Sequence, residues 1–237
     1  MENAPPHDEG PGPSVASQLF EVGVFVLLML PAVMLPYFAG NALRGGFVLV
    51  ALGTILHNVA FLCLIAFFLW KNHEPARRLG LSAREGAKEI LVGVCLFFLM
   101  FLAMNLIQQF LTAAGISVPS RPLPSFLTFH SPAGYGLAFC LVVVAAFSEE
   151  TIFRGYLMLR LTAVFRSRAV AALISTAVFS LGHGYEGLSG VAAVFCIGLF
   201  LCGVYVWRGS LVAPMVIHFL QDFTGLFMGP LATHFRG

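Results

Sequence analysis

Charged residues are scarce in this sequence. Only 10% of its 237 residues are Asp, Glu, Lys or Arg, whereas 59% are hydrophobic, and the mean hydropathy is +0.90. Soluble globular domains have about 25% charged residues, so this composition excludes that class and predicts an integral, multi-pass membrane protein. The formal net charge is only +2, which gives no indication of a nucleic-acid partner.

Paired cysteine motifs are also absent. The five cysteines include no C-x-x-C pair and are odd in number, and all lie in apolar runs: Cys63, Cys95, Cys140, Cys196 and Cys202. A disulfide framework and a thiolate metal site are therefore disfavoured. We expect small apolar packing residues.

The apolar runs are continuous and lack the alternation of a transmembrane barrel. Runs of roughly 20 residues suffice to cross a bilayer as helices. Seven are found, at Phe20–Ala39, Phe47–Trp70, Ile90–Ala114, Tyr135–Leu159, Ala169–Gly184, Leu188–Trp207 and Leu211–Leu231. They predict an all-α bundle of about seven to eight transmembrane helices.

The chain divides into three predicted regions. Residues 1–18 hold four prolines and no Lys or Arg, which favours a disordered tail over a signal peptide. Residues 19–134 carry the first helices and a charged loop at 71–89, where Ser82 to Glu85 resembles a helix-capping pattern. Residues 135–231 carry the polar motifs described below.

The basic residues predict an orientation. Nine of the 13 Lys and Arg follow the second, fourth or sixth run, and three follow the others. The nine are Lys71, Arg77, Arg78, Arg84, Lys88, Arg160, Arg166, Arg168 and Arg208. Because Lys and Arg are retained on the cytoplasmic side, we expect a cytoplasmic N-terminus and loop 71–89. A bacterial inner membrane is the expected location.

Ionisable residues inside the later runs are expensive and indicate function. In FSEETIFRG, Glu150 and Arg154 are four residues apart and are expected to pair on one helix face. Glu149 points about 100° away and remains unpaired. Later runs offer partners, because Phe179 and His183 share a face, as do His218 and Asp222.

At these residues the sequence resembles the CPBP family of intramembrane proteases, named for C-a-a-X proteases and bacteriocin-processing proteins and also called Abi proteins. The resemblance covers about residues 135–230 through E-E-x-x-x-R, F-x-x-x-H and H-x-x-x-N/D, matched by Glu149, Glu150, Arg154, Phe179, His183, His218 and Asp222. It implies an endopeptidase of the type II C-a-a-X prenyl kind, acting within the bilayer on a hydrophobic or prenylated substrate. Asp222 departs from the Asn of the eukaryotic enzymes.

The resemblance and the chemistry together suggest roles. Glu149 and His183 would hold and deprotonate water, His218 would stabilise the oxyanion, and Asp222 would orient His218, with Glu150, Arg154 and Phe179 in support. Alternatively, Glu149, His183 and His218 would bind a divalent metal such as Zn²⁺, as in a metalloendopeptidase. The sequence leaves both open.

Two other classes stay open. One is a non-catalytic membrane scaffold or bacteriocin-immunity protein, in which the polar motifs hold the bundle together. The other is a proton-coupled transporter, since carboxylate and imidazole relays also serve transport; the sequence has none of the repeat symmetry typical of transporters.

Overall fold

The computed structural model describes residues 12–39, 46–81, 86–115 and 125–228, and these residues form helices and no strand. The predicted all-α bundle is confirmed. Its helices are α1 Val15–Ala39, α2 Phe47–Lys71, α3 Gly86–Ala113, α4 Pro132–Phe165, α5 Arg168–Leu181, α6 Gly187–Arg208 and α7 Val212–Met228.

Five of these helices are long and apolar enough to cross a membrane, namely α1, α2, α3, α4 and α6. The other two are shorter. Helix α5 has 14 residues, which gives it a length of about 21 Å, and α7 is about 25 Å long, so neither reaches across 30 Å of hydrocarbon. Two of the seven predicted transmembrane spans are therefore too short to cross the hydrocarbon layer.

Helix α4 is the central element. In its most apolar stretch 44% of the residues are buried, compared with 22% or less in the other four long helices. The helix starts where the Ser131 side chain accepts a hydrogen bond from the amide of Gly134 at 3.1 Å. It widens to a π-helix over Thr151–Leu157, directly after Glu150, and continues as α-helix to Phe165.

A tight turn reverses the chain after α4. Arg166 takes a left-handed backbone conformation with φ of 53°, and Ser167 caps α5 by accepting from the amide of Val170 at 3.3 Å. Because this turn is short, α5 runs back along α4. The reversal brings the end of α5 level with the middle of α4, where Glu149 and Glu150 lie.

A buried polar cluster joins α1 to α4. Glu21 Oε2 accepts from the Tyr156 hydroxyl at 2.5 Å and from Arg160 Nε at 2.7 Å. Arg160 also pairs with Glu74, which accepts from Arg78 at 2.6 Å. Arg160 had been assigned to a basic loop, but α4 continues past it and the side chain is buried.

The remaining boundaries differ slightly from the predictions. Helix α1 begins at Val15, inside the segment 1–18 predicted to be a tail, of which residues 1–11 lie outside the described part. The capping pattern Ser82 to Glu85 also lies outside it.

All five cysteines are free thiols; Cys202 is buried and the other four face outward, so most of them do not pack in the core.

Candidate active site

The carboxylate of Glu150 is the centre of a buried cluster. Its Oε1 lies 2.8 Å from Arg154 Nη1, and both side chains are fully buried. The predicted pair is therefore present. Arg154 also donates from Nη2 to the carbonyl of Gly198 at 3.3 Å, and its guanidinium lies 4.5 Å from the centre of the Phe179 ring. These contacts tie α4 to α5 and α6.

Gly198 allows this close approach of α6. A Cβ atom at this position would lie 2.7 Å from Thr176 Cγ2 and 3.1 Å from Arg154 Nη2. Both distances are shorter than normal packing contacts. The absence of a side chain at Gly198 thus gives Arg154 its carbonyl partner, a function that the sequence analysis missed because a helical glycine has no distinctive pattern around it.

His218 stands between three carboxylates. Its Nδ1 lies 2.7 Å from Glu150 Oε1, whereas its Nε2 lies 3.4 Å from Asp222 Oδ2 and 3.8 Å from Glu149 Oε2. The sequence predicts that Asp222 orients this ring. The shortest contact comes from Glu150, which holds the opposite nitrogen and so directs Nε2 toward Glu149 and Asp222.

The two glutamates differ in access. The Glu150 side chain is fully buried, while that of Glu149 is 19% exposed and that of Asp222 is 37% exposed. This difference agrees with the predicted angle of about 100° between neighbouring helical residues. Glu149 and Asp222 form the open side of the cluster, which a substrate can reach.

His183 lies beyond the last turn of α5, in the connection to α6. Its Nδ1 is 3.0 Å from the carbonyl oxygen of Phe179, and the two rings are 4.8 Å apart at their centres. His183 is also in electrostatic range of Glu149. Because α5 ends at Leu181, the histidine reaches the site from a turn and not from a helix face.

Phe179 is a packing residue of the site. Its ring centre lies 5.0 Å from that of Phe153 and 6.0 Å from that of His218. With Arg154 on one face and His183 nearby, the ring separates the two histidines. It therefore fixes their spacing and has no polar atom of its own to react.

The candidate metal ligands do not form a ready metal site. Among the described residues, no group of three or more His, Cys, Asp or Glu side chains has the arrangement of a metal centre. Nδ1 of His183 and Nδ1 of His218 each bond a protein oxygen, which leaves Nε2 of both rings available to a metal. Because Glu149, His183 and His218 are not gathered into a group of three ligands, the zinc hypothesis stays a prediction.

Two further side chains border the site. Asn58 of α2 lies beside Glu149. The ring centre of Tyr185 lies 5.9 Å from that of His183 and 5.8 Å from that of Phe126. The only sequence signal for Asn58 was an amide in the middle of an apolar run.

Comparison with known proteins finds one relative and one family model. The chain is 27% identical over 136 residues to an Escherichia coli protein described as "Uncharacterized 24.3 kDa protein"; the match covers 54% of this chain and 61% of that protein, so it spans about three fifths of the relative's length. No solved structure matches. The family model described as "Type II CAAX prenyl endopeptidase Rce1-like" matches residues 131–224. The segment that holds every candidate site residue from Glu149 to Asp222 is thus related to the Rce1-like family of type II CAAX prenyl endopeptidases.

Proposed function

We propose that this protein is an intramembrane endopeptidase that hydrolyses a peptide bond with a glutamate-activated water. One observation carries the proposal: the partly exposed Glu149 carboxylate lies 3.8 Å from Nε2 of His218, whose other nitrogen is held by buried Glu150. A base and a fixed hydrogen-bond donor are thereby side by side. Peptide hydrolysis needs this combination.

The reaction follows from the positions of these groups. Glu149 takes a proton from water as the water oxygen bonds to the scissile carbonyl carbon. The carbonyl oxygen becomes an oxyanion, which accepts a hydrogen bond from His218 Nε2. When the C–N bond breaks, Glu149 returns the proton to the leaving nitrogen. The products are a carboxylic acid and an amine, which become a carboxylate and an ammonium group when the acid gives its proton to the amine, and Glu149 is regenerated.

The donor role of His218 depends on its partners. A carboxylate can only accept, and Glu150 is already paired with Arg154. Nδ1 must therefore donate to Glu150, and Nε2 must also carry a hydrogen to serve the oxyanion. A doubly protonated ring satisfies both requirements, and Asp222, 3.4 Å from Nε2, balances its charge. Asp222 thus supports the donor by its charge, whereas Glu150 sets the orientation of the ring.

His183 completes the water side of the site. Its Nδ1 bonds the Phe179 carbonyl, which directs the other nitrogen away from α5. In range of Glu149, that nitrogen would accept or donate a hydrogen bond to the water. A water that is held in one position increases the reaction rate, because it is already oriented toward the carbonyl carbon.

The substrate class follows from the location. The site is built from helices in the apolar part of the chain, and four of the five long apolar helices are only 17–22% buried in their most apolar stretch. A substrate cleaved at this site would therefore be a hydrophobic or lipid-modified polypeptide. The family match favours a polypeptide with a prenylated C-terminus. The bilayer itself is the other partner.

A comparison of peptide termini tests the proposal. Membrane proteomes of cells expressing the wild type or Glu149→Ala at equal levels would be compared. New N- and C-termini found only with the wild type are expected. Glu89→Gln is a matched control, since Glu89 pairs with Arg208 at 2.5 Å outside the site; its termini should match the wild type. Identical profiles for wild type and Glu149→Ala would refute the enzyme and favour a scaffold.

The orientation is a separate proposal. With Arg160 buried, eight basic residues instead of nine remain on the predicted cytoplasmic side, against three on the other. This bias still places the N-terminus and loop 71–89 in the cytoplasm of a cell with a bacterial inner membrane. Amine labelling of Lys71 from the outside of intact cells should fail, and it should succeed in inverted vesicles.

A further inference from the structure

Asn58 is a buried amide without a partner. It lies in the middle of α2, its side chain is 5% exposed, and its Nδ2 makes no hydrogen bond within the described residues. An unpaired buried donor costs free energy. At membrane depth, a polar side chain that is kept at such a cost indicates function.

Other asparagines in the helices are satisfied. Asn72 donates to Glu21 at 2.7 Å, and Asn105 donates to the carbonyl of Phe101 at 2.7 Å. A structural role for Asn58 would require a comparable bond between α2 and a neighbour. The Asn58 side chain instead lies beside the Glu149 carboxylate, but its Nδ2 does not meet the geometry of a hydrogen bond.

Glu149 thus has donors on two sides. Asn58 approaches it from α2 and His218 Nε2 approaches it from α7 at 3.8 Å. Neither donor is bonded directly to the carboxylate. An atom that sits against Glu149 can accept from one of these donors while the other remains available to a substrate oxygen.

We infer that Asn58 Nδ2 donates to the oxygen of the attacking water and holds that water against Glu149. The inference rests on the proposed endopeptidase function. The water accepts from Asn58 through one lone pair and donates one hydrogen to Glu149. Its second lone pair then points at the scissile carbonyl carbon, while His218 serves the oxyanion. Asn58 is therefore a catalytic residue from the half of the chain that the family model does not match.

The test uses the purified full chain in detergent with a peptide obtained from the termini comparison. In Asn58→Leu the donor is lost, while the branched arrangement of four side-chain heavy atoms is kept. We expect kcat to fall about a hundredfold, as for a misplaced reactant, with KM within about twofold. We also expect Tm to rise, since an unpaired buried polar group is replaced by an apolar one. Asn105→Leu removes an exposed amide from α3 and should leave kcat unchanged.

The donor itself is tested by Asn58→Ser and Asn58→Ala. The Ser hydroxyl can still donate a hydrogen bond, so kcat of Asn58→Ser should exceed that of Asn58→Ala. This comparison tests the need for a donor even if Asn58→Leu does not accumulate in cells. Equal kcat values for Ser and Ala, or an unchanged kcat in Asn58→Leu, would overturn the inference. A joint fall of kcat and Tm in Asn58→Leu would assign a structural role instead. If Asn58→Leu is fully active and Glu149→Ala is inactive, the endopeptidase stands and only this inference fails.

Discussion

Glu150 and His218, which are 68 residues apart in the chain, share a hydrogen bond of 2.7 Å between Oε1 and Nδ1. The same oxygen accepts from Arg154 at 2.8 Å. One buried atom therefore both neutralises the arginine and orients the histidine. The inner glutamate, Glu150, thus organises the site, and the outer one, Glu149, is partly exposed and is the proposed base.

Substitution of Glu150 should lower the stability of the fold as well as the cleavage activity. Glu150→Ala leaves the Arg154 cation buried and unpaired, which costs about 3–5 kcal/mol, and it releases His218 Nδ1. We expect a lower thermal unfolding midpoint, a lower protein level and no cleavage. Glu150→Gln is the matched variant, since its amide oxygen can still accept both hydrogen bonds. A Glu150→Ala protein as stable as the wild type would contradict this account.

Gly198 should not tolerate alanine. A Cβ there meets Thr176 and Arg154 at 2.7 and 3.1 Å, so α6 or the guanidinium must move, at a cost of about 1–3 kcal/mol. Gly203→Ala in the same helix is the control, because a Cβ there has no neighbour within 4 Å. Unfolding in detergent should show Gly203→Ala equal to or above the wild type, with Gly198→Ala below both. The reverse order would mean that the close packing of α6 is unimportant.

The cluster around Glu21 should stabilise the fold without contributing to the chemistry. Its carboxylate accepts from Tyr156, Arg160 and Asn72 at 2.5 to 2.7 Å, so Glu21→Ala should cost about 3–5 kcal/mol. The Glu21→Ala molecules that remain folded at low temperature should keep the wild-type kcat. The reason is that the cluster is remote from the site: Arg160 lies ten residues beyond Glu150. Activity per folded molecule is the measurement. Arg208→Ala breaks a pair in which the arginine is 19% exposed and should cost less than Glu21→Ala, because water can partly replace the lost contact.

Metal chelation should leave activity intact. The proposed mechanism uses Glu149 as the base and His218 as the donor, and the described residues contain no group of three candidate ligands in a metal-like arrangement. Dialysis against phenanthroline followed by the peptide assay is the measurement. Loss of activity that Zn²⁺ restores would replace the glutamate mechanism with the metal alternative.

Short-range relationships were the ones that the sequence could predict. The pairs Glu150 with Arg154 and His218 with Asp222 follow from the four-residue helical repeat, and both are found in contact. The positions of the helices follow from the apolar runs. These features depend on residues close together in the chain, where helical geometry alone sets the distances.

Relationships between helices could not be predicted. The bond from Glu150 to His218, the approach of Asn58 to Glu149 and the role of Gly198 all depend on which faces pack together. Arg160 was misjudged because α4 is longer than one bilayer crossing, so a residue near its end is covered by α1 instead of solvent. The π-helix after Glu150 has no sequence signature, since it arises from packing.

The two short helices have a consequence for the surrounding lipid. Helices α5 and α7, about 21 and 25 Å long, carry or adjoin His183 and His218. A bilayer of normal thickness cannot match them without thinning, tilting or admitting water beside them. The proposed hydrolysis requires a supply of water inside the membrane, and hydrophobic mismatch at these two helices would admit water beside the histidines. We expect the turnover rate to depend on acyl-chain length, with thinner bilayers giving faster cleavage.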